Sequence, residues 1–579
     1  MVNGILKTPL PAAFFYIAVL AGCDVDQSVT GGSVTQCPAR TTPIARVQGS
    51  ATESPMLGQR VTVKGIVTLT QSGRGIYIEE PGSDSDDRTS NAVFIETADW
   101  PTGVKAGSQV SAEGEVSEIG SGRYLMTAIT SVSELIDCES SRELPLTEAG
   151  LPLNGPGREA LEGMRIAIND ALTVTDVYQF GRGNITLSAN GTQFVPTETV
   201  TPGRKAAEML AQIRAFILPA QIAEGGFQPE LLVNGTGIEN VTGVLAHDGY
   251  DLRIALQSAT AGPPANFPTP SPAATGSIRI VGMNLHNYFN GDGKGKGFPT
   301  PRGAETEDEF QQQRNRIGAA IELLNPHIIG VMELENDGFD GDSAAQDFIN
   351  LANRATGKNW AVTRPVADNT GTDAITVGLF YRNDQLKAIG PAQTLTGPEW
   401  EKSRQPIAQV FQQNSGGEKI VVVINHLKSK GSCPDSGENA DQKDGQGCWN
   451  PMRTASAEKM SAWANGLAVP AGAGNILILG DMNAYRREDP IDAIREAGFT
   501  ELMDEKQERP YSFVYYGQHG TLDYAFTSQA LREKVQQAFI WNVNAALPVN
   551  MALPQPWLRF SDHDPVVVDI LLRHSSTSD

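Results

Sequence analysis

The chain has 579 residues, 40% of them apolar, with 59 glycines; that is too long for one core and suits two to four domains rich in strands and turns. A formal net charge of −22 argues against a stoichiometric nucleic-acid binder, since phosphate contact would need a local basic patch or metal ions to offset repulsion. Five cysteines with no Cys-x-x-Cys pair argue against a zinc knuckle.

Residues 1–23 read as an export signal. Lys7 is the early positive charge, Phe14 to Ala21 is apolar, and Leu20-Ala-Gly-Cys23 closes the segment. The apolar core is too short for a membrane span. Its end resembles a bacterial lipobox, which implies that Cys23 becomes the lipid-modified first residue of the mature protein. The expected location is extracytoplasmic, as a cell-surface lipoprotein or a secreted protein, where disulfides persist. Four cysteines then remain, and three pairings are open. Cys37–Cys138 and Cys433–Cys448 are expected, the first bracketing the N-terminal domain and the second closing a short loop. Residues 24–56 otherwise read as a flexible polar spacer.

Residues 57–140 carry short alternating strands at 61–68, 75–79, 92–95 and 109–117, separated by glycine turns. About five strands at this spacing predict a small barrel. The order Gly-x-Val, Gly-Ile-Tyr-Ile, Val-x-Ala-x-Gly-x-Val resembles the OB-fold modules attached to secreted bacterial nucleases. Residues 150–260 read as a second β-rich module without a catalytic constellation. The proline-rich stretch 261–277 reads as a linker and the main domain boundary.

From 278 to 574 strands alternate with helices. Strands are expected at 278–285, 327–333, 374–381, 419–427, 475–482, 521–527 and 565–572. Thr306-Glu-Asp-Glu309 is a capping box that opens a helix with Phe310, Ile317, Ile321 and Leu324 on one face. Further helices are expected near 344–355, 452–466 and 488–497. Many strands with few helices predict two packed sheets flanked by helices. The fold class is therefore α/β, a four-layer αββα sandwich preceded by two small all-β modules.

Polar residues gather where these strands end. Asn284 closes the first strand and Glu333 the second. His426 closes the run Ile420 to Ile424, with Lys428 and Lys430 just beyond. Asp481 and Asn483 follow Ile476-Leu-Ile-Leu479, Asp523 sits in Leu522-Asp-Tyr524, and Asp562-His563 precede Pro565-Val-Val-Val568. In an extended backbone Asp481 and Asn483 would point to one side. Oxygen ligands without thiolates suit Mg²⁺, with Mn²⁺ and Ca²⁺ as alternatives, rather than zinc.

These pieces, in order, are similar to the endonuclease/exonuclease/phosphatase superfamily with the deoxyribonuclease-I-like fold. Met332-Glu-Leu-Glu-Asn-Asp-Gly338 and Asn425-His-Leu-Lys-Ser-Lys-Gly-Ser432 resemble the branch of large secreted bacterial nucleases. The resemblance implies metal-dependent phosphodiester cleavage. Glu333 would be the main metal ligand, with Asn284 beside it and Asp562 as a second candidate. Asp481 would orient or deprotonate the attacking water, and Asn483 would hold a phosphate oxygen. Asp523 would pair with His563 and favour its imidazolium, and His426 would donate to the phosphate or leaving group. Arg382, Lys428 and Lys430 are candidate phosphate contacts. The implied substrate is DNA, with RNA left open, cleaved by a monomer that meets the membrane only through Cys23. The alternative is a phospholipid or inositol phosphate. His247, His286, His327, His519 and His574 read as structural or exposed.

Overall fold

The computed structural model describes residues 37–573 except 83–85, 122–123, 154, 264, 366–369, 472–473, 504–508 and 550. The export signal, Cys23 and His574 lie outside the described residues.

Five strands, β1 (Arg60–Gln71), β2 (Gly75–Glu79), β3 (Ala92–Glu96), β4 (Ser108–Ile119) and β5 (Met126–Ser141), close into a barrel in the order β1-β2-β3-β5-β4, with β1 pairing back onto β4. Alternating residues such as Val61, Val63, Ile76, Ile78 and Val110 fill its interior. Cys37 is bonded to Cys138 of β5, with Cα atoms 5.2 Å apart.

The second module is a seven-stranded sheet. Its strands are β6 (Thr147–Ala149), β7 (Arg165–Ile168), β8 (Leu172–Asp176), β9 (Asn184–Ser188), β11 (Ile217–Ile222), β12 (Gly237–His247) and β13 (Leu252–Ala261), in the order β13-β11-β9-β8-β12-β7-β6. The short β10 (Gln193–Phe194) leaves this sheet. A helix at Arg204–Ala215 was not expected from the strand-rich composition. Its apolar stripe is Ala206, Met209, Leu210 and Ile213, of which only Ala206 and Ile213 are buried.

The C-terminal domain has two six-stranded sheets. One contains β14 (Ile278–Tyr288), β15 (Ile328–Glu335), β16 (Trp360–Val362), β17 (Ile375–Arg382), β26 (Val535–Ile540) and β27 (Val566–Ile570), ordered β16-β17-β15-β14-β27-β26. The other contains β18 (Leu386–Thr394), β19 (Ile407–Gln413), β20 (Lys419–His426), β21 (Asn475–Asp481), β22 (Thr500–Glu501) and β25 (Asp523–Thr527), ordered β18-β19-β20-β21-β25-β22. Ile280, Ile328 and Leu379 from the first sheet meet Ile424, Leu477 and Leu479 from the second in one buried core. The sheets approach so closely that a Cβ on Gly330 would lie 2.7 Å from Ile424 Cδ1.

The outer faces are covered by helices, completing the four-layer αββα sandwich. Helices Glu307–Leu324 and Ala344–Thr356 pack on the first sheet through Phe310, Ile317, Ile321 and Phe348. Helices Asn450–Ala471 and Asp489–Glu496 pack on the second through Ala457, Met460, Ile491 and Ile494. Thr306 caps the first helix by accepting from Glu309 N at 3.2 Å, and three acidic residues in its first turn complement the helix dipole. Two of these helices serve as crossovers, one between parallel β14 and β15 and one between parallel β20 and β21.

The proline-rich stretch is strapped to this domain rather than free. Arg279, fully buried against Asp569 at 2.8 Å, donates to Ser271 O at 2.7 Å, and Trp541 Nε1 donates to Pro268 O at 3.0 Å. The second module also reaches across. Its β10 pairs in parallel with β24 (Gln518–Gly520), which forms a hairpin with β23 (Phe513–Tyr515).

Candidate active site

The site lies at one edge of the sandwich, where β14, β15, β20 and β21 end and β25 and β27 begin. In the second sheet, register sets three groups in a row: His426 is paired with Asp481, and Asp481 with Asp523. Paired residues point to the same face, and neighbouring strands are about 4.8 Å apart, so these side chains converge. Gly480 permits this. It has φ +146°, and a Cβ there would lie 2.0 Å from Asn425 O on the adjacent strand.

The first sheet delivers its groups through irregular backbone. Register shifts between Asn284 and Tyr288 of β14 and between Val331 and Leu334 of β15 mark paired bulges. Within them His286, Asn287 and Glu333 have φ of +52°, +58° and +61°. Such conformations are costly for non-glycine residues and persist where surrounding structure enforces them. The bulges turn Glu333 back toward Asn284. Its carboxylate accepts from Asn284 Nδ2 at 3.1 Å and from Asn287 N at 3.0 Å. Asn284 Nδ2 also stands 3.5 Å from Asp481 Oδ2, which joins the two sheets at the site.

Asp481, 2% exposed, is the hub. Its Oδ2 lies 3.4 Å from His426 Nε2 and 3.9 Å from His563 Nδ1, and its Oδ1 accepts from Asn483 N at 2.8 Å. Burial pushes its carboxyl up to about 7. His563 Nδ1 bonds Asp523 Oδ2 at 2.7 Å, which leaves Nε2 as the nitrogen able to donate elsewhere. Burial works against the imidazolium, but Asp523, Asp562 and Asp481 outweigh it and hold the His563 pKa well above the usual histidine range. Phe513 packs on the same ring, centroids 4.6 Å apart. Asp481, Asp523 and His563 offer ligand atoms all within 4.8 Å of one another, close enough to share a cation or a proton.

Several sequence expectations change. His426 lies where expected, but burial, reinforced by Arg404 and His563, drives its pKa well below the usual range. It is therefore neutral at neutral pH, and its Nδ1 is buried without a hydrogen bond. Asp481 and Asn483 do not extend side by side. Asn483 has φ +48°, and its Nδ2 donates to Leu427 O at 3.1 Å, so the amide ties down the end of β20. Asp562 sits at the rim, 3.9 Å from His286 Nδ1; His286 is exposed, as expected, and stands at the site edge.

The three candidate phosphate contacts separate. Arg382 is at the wrong end of the sheet: its N donates to His327 O, just before β15 begins, while Glu333 lies near that strand's end, roughly 17 Å along at ~3.3 Å per residue. It pairs there with Asp384 at 2.9 Å. Lys430 is occupied by buried Glu488 at 2.5 Å and by Gln446 O. Lys428 borders the site, its Nζ bonded to Ser429 O and Gly431 O and held 5.1 Å over the Trp449 ring.

Two arginines escaped the sequence reading. Arg404 is buried, donates to Leu427 O at 2.8 Å, and has no hydrogen bond at Nε. Asp481 and Glu333 are among the charges acting on it, and it acts on His426. Asp373 bridges it to Arg302, at 3.7 Å and 3.0 Å respectively. Their sequence signal is a lone arginine in each of two loops; only tertiary contact brings them together.

At pH 7, ring-nitrogen NMR is expected to show His563 carrying two ring protons and His426 one. A reaction that needs the Asp481 carboxylate and the His563 imidazolium will then gain kcat as pH rises through about 7, where Asp481 loses its proton, and lose it again as pH rises through the raised His563 pKa. A neutral His563 at pH 7 would contradict both.

The C-terminal half is thus a four-layer α/β sandwich with carboxylates, amides and imidazoles converging at one edge. Residues 290–563 of it match the Endonuclease/Exonuclease/phosphatase family. Similar solved structures include the human Nocturnin catalytic domain with bound sulfate, at 19% identity over 52% of this chain and 96% of that one, TM-score 0.35. Another is the endonuclease/exonuclease/phosphatase from Bacteroides vulgatus, at 15% identity over 51% and 99%, TM-score 0.33. A third is TDP2 from D. rerio complexed with a single-strand DNA product, at 14% identity over 51% and 98%, TM-score 0.33. No curated protein matches the sequence.

Proposed function

We propose that this protein is an extracytoplasmic, divalent-metal-dependent nuclease that hydrolyses phosphodiester bonds of DNA with low sequence specificity. The observation that carries the reading is the convergence of Glu333, Asn284, Asp481, Asp523, His563 and His426 at one edge of a two-sheet sandwich. The match over residues 290–563 supports phosphoester chemistry, and the two disulfides, with Cα atoms 5.2 and 5.5 Å apart, support life outside the cytoplasm. The protein acts as a monomer, held at the membrane only by a lipid on Cys23.

The donor set fits a hard divalent cation. Four carboxylates and an amide crowd the edge, all oxygen donors, and Asp523 Oδ1 is buried without a partner. Asn284, Glu333 and Asp562 would hold Mg²⁺. When bound it would offset the charge that develops on the phosphate oxygens.

The chain's own groups carry the proton work. Asp481, with its carboxyl raised to about 7, takes a proton from the attacking water. His563, oriented by Asp523, donates from Nε2 as charge builds on the departing oxygen. Neutral His426 and the buried Arg404 face the other phosphate oxygens, and Asp373 keeps Arg404 and Arg302 in place. The barrel's closed β1-β2-β3-β5-β4 order supports the OB-fold reading of the first module.

The test uses the chain without residues 1–23, supercoiled plasmid and Mg²⁺, with and without chelator. Metal-dependent nicking is expected. Survival of the plasmid alongside hydrolysis of a generic aryl phosphodiester would redirect the substrate to a phospholipid or inositol phosphate. Inertness toward both would end the enzymatic reading.

A further inference from the structure

The second module touches the C-terminal domain close to the groups just described. Beyond β10, Val195 N donates to His519 O at 2.9 Å, and Pro196–Thr199 forms one short helical turn. From this turn Glu198 enters the other domain. It is 6% exposed, and its carboxylate accepts from Thr521 N at 3.0 Å and from Thr521 Oγ1 at 2.8 Å. Two residues later Asp523 opens β25 and bonds His563. On the other side of this segment, Leu522 N and Asp523 N both donate to Ser512 Oγ, at 3.0 and 2.9 Å. The backbone leading into Asp523 is thus gripped from two sides, and one grip comes from a different module, 323 residues earlier.

Docking alone does not call for this arrangement. Burying a carboxylate is costly, and apolar side chains would hold two modules together without that cost. Arg486 stands 3.6 Å from Glu198, but it is already paired with Glu501 at 2.5 Å. The hydrogen bonds that satisfy Glu198 go to Thr521. Its neighbour Thr197 shows what a plain interface contact looks like: Thr197 Oγ1 donates to Glu488 Oε1 at 2.8 Å, beside the helix Asp489–Glu496.

We propose that Glu198 is a positioning residue of the active site: supplied by the second β module, it holds Thr521 so that Asp523 presents its carboxylate to His563. The second module is then part of the catalytic unit. The inference takes its reaction from the reading above, but the bond it concerns can be observed without any substrate.

Glu198→Ala, Glu198→Gln and Thr197→Val are compared in the full chain by thermal melting, by kcat and KM on plasmid and on an aryl phosphodiester, and by the NMR signal of the His563 Nδ1 proton. Glu198→Ala is expected to lower kcat roughly tenfold to a hundredfold on either substrate, with KM little changed, as misplacement of a catalytic group does. It should also shift or broaden the His563 proton. Glu198→Gln keeps one acceptor and should fall between parent and Glu198→Ala. Thr197→Val should lower the melting temperature and leave kcat and the proton signal as in the parent. If Glu198→Ala does not fold, Glu198→Gln decides: a parental proton signal and parental kcat overturn the proposal. So does a Glu198→Ala variant that loses only melting temperature. A protein that cleaves neither substrate refutes the nuclease reading, and the proton signal still decides the role of Glu198.

Discussion

His563→Ala is expected to lower kcat by about 10² to 10⁴, the range for loss of a positioned acid or base. The ring is buried, bonded to Asp523 at 2.7 Å and held cationic by three surrounding carboxylates. Asp523→Asn should cost a comparable factor, because an amide neither stabilises the imidazolium nor holds the same tautomer. The two groups act as a unit, so the double variant should be little worse than either single one, a strong departure from additivity. The measurement is kcat on plasmid and on an aryl phosphodiester, with melting curves to show that the variants fold. Activity of His563→Ala within threefold of the parent would remove this residue from the chemistry.

Glu333→Gln is expected to abolish the response to metal in a way that can be read without turnover. A cation that binds only the folded chain raises its stability by RT ln(1 + [L]/Kd), or about 2.7 kcal/mol at a hundred times Kd. The parent should therefore melt at a higher temperature in Mg²⁺ than in chelator, and Glu333→Gln should melt alike in both. Without metal two effects oppose each other in the variant: Glu333 is among the charges that raise the Asp481 carboxyl, so its removal relieves repulsion, but the Gln amide can accept from only one of Asn284 Nδ2 and Asn287 N. The deciding quantity is therefore the Mg²⁺-dependent shift within each protein. Equal Mg²⁺ stabilisation of parent and variant would take Glu333 out of the metal site.

Much of the C-terminal domain was legible because its strands are buried on both faces. Runs such as Ile420 to Ile424 and Ile476 to Leu479 are apolar throughout, as strands covered on both faces are, and each ends abruptly in residues that carry chemistry. The strands β18, β19 and β26 went unread. Their burial is mixed, Leu386 and Phe411 being buried beside exposed or half-buried neighbours, so neither period stands out. The phosphate contacts were the weakest part. Lys430 and Arg382 read as candidate phosphate contacts, but each has a carboxylate partner in the fold: Glu488 stands 58 residues from Lys430 and leaves no local trace, whereas Asp384 is two residues from Arg382 and only the tertiary structure puts that pair at the far end of the sheet. Arg404 was missed for the converse reason: its importance lies in being buried beside the site.

The sequence by itself determined the strands buried on both faces, where they stop and which carboxylates, amides and imidazoles stand at those ends, because hydrophobic runs and their polar terminators are local properties. Tertiary structure alone decided the protonation of those groups and the company they keep. His426 and His563 are both histidines at strand ends, yet one is driven neutral by burial beside Arg404 and the other is held charged by Asp523, Asp562 and Asp481. The backward turn of Glu333 and the reach of Glu198 from another module are likewise invisible in local sequence. Electrostatic energy depends on distance through space and on exclusion of water, and both are set only when the two sheets close on each other.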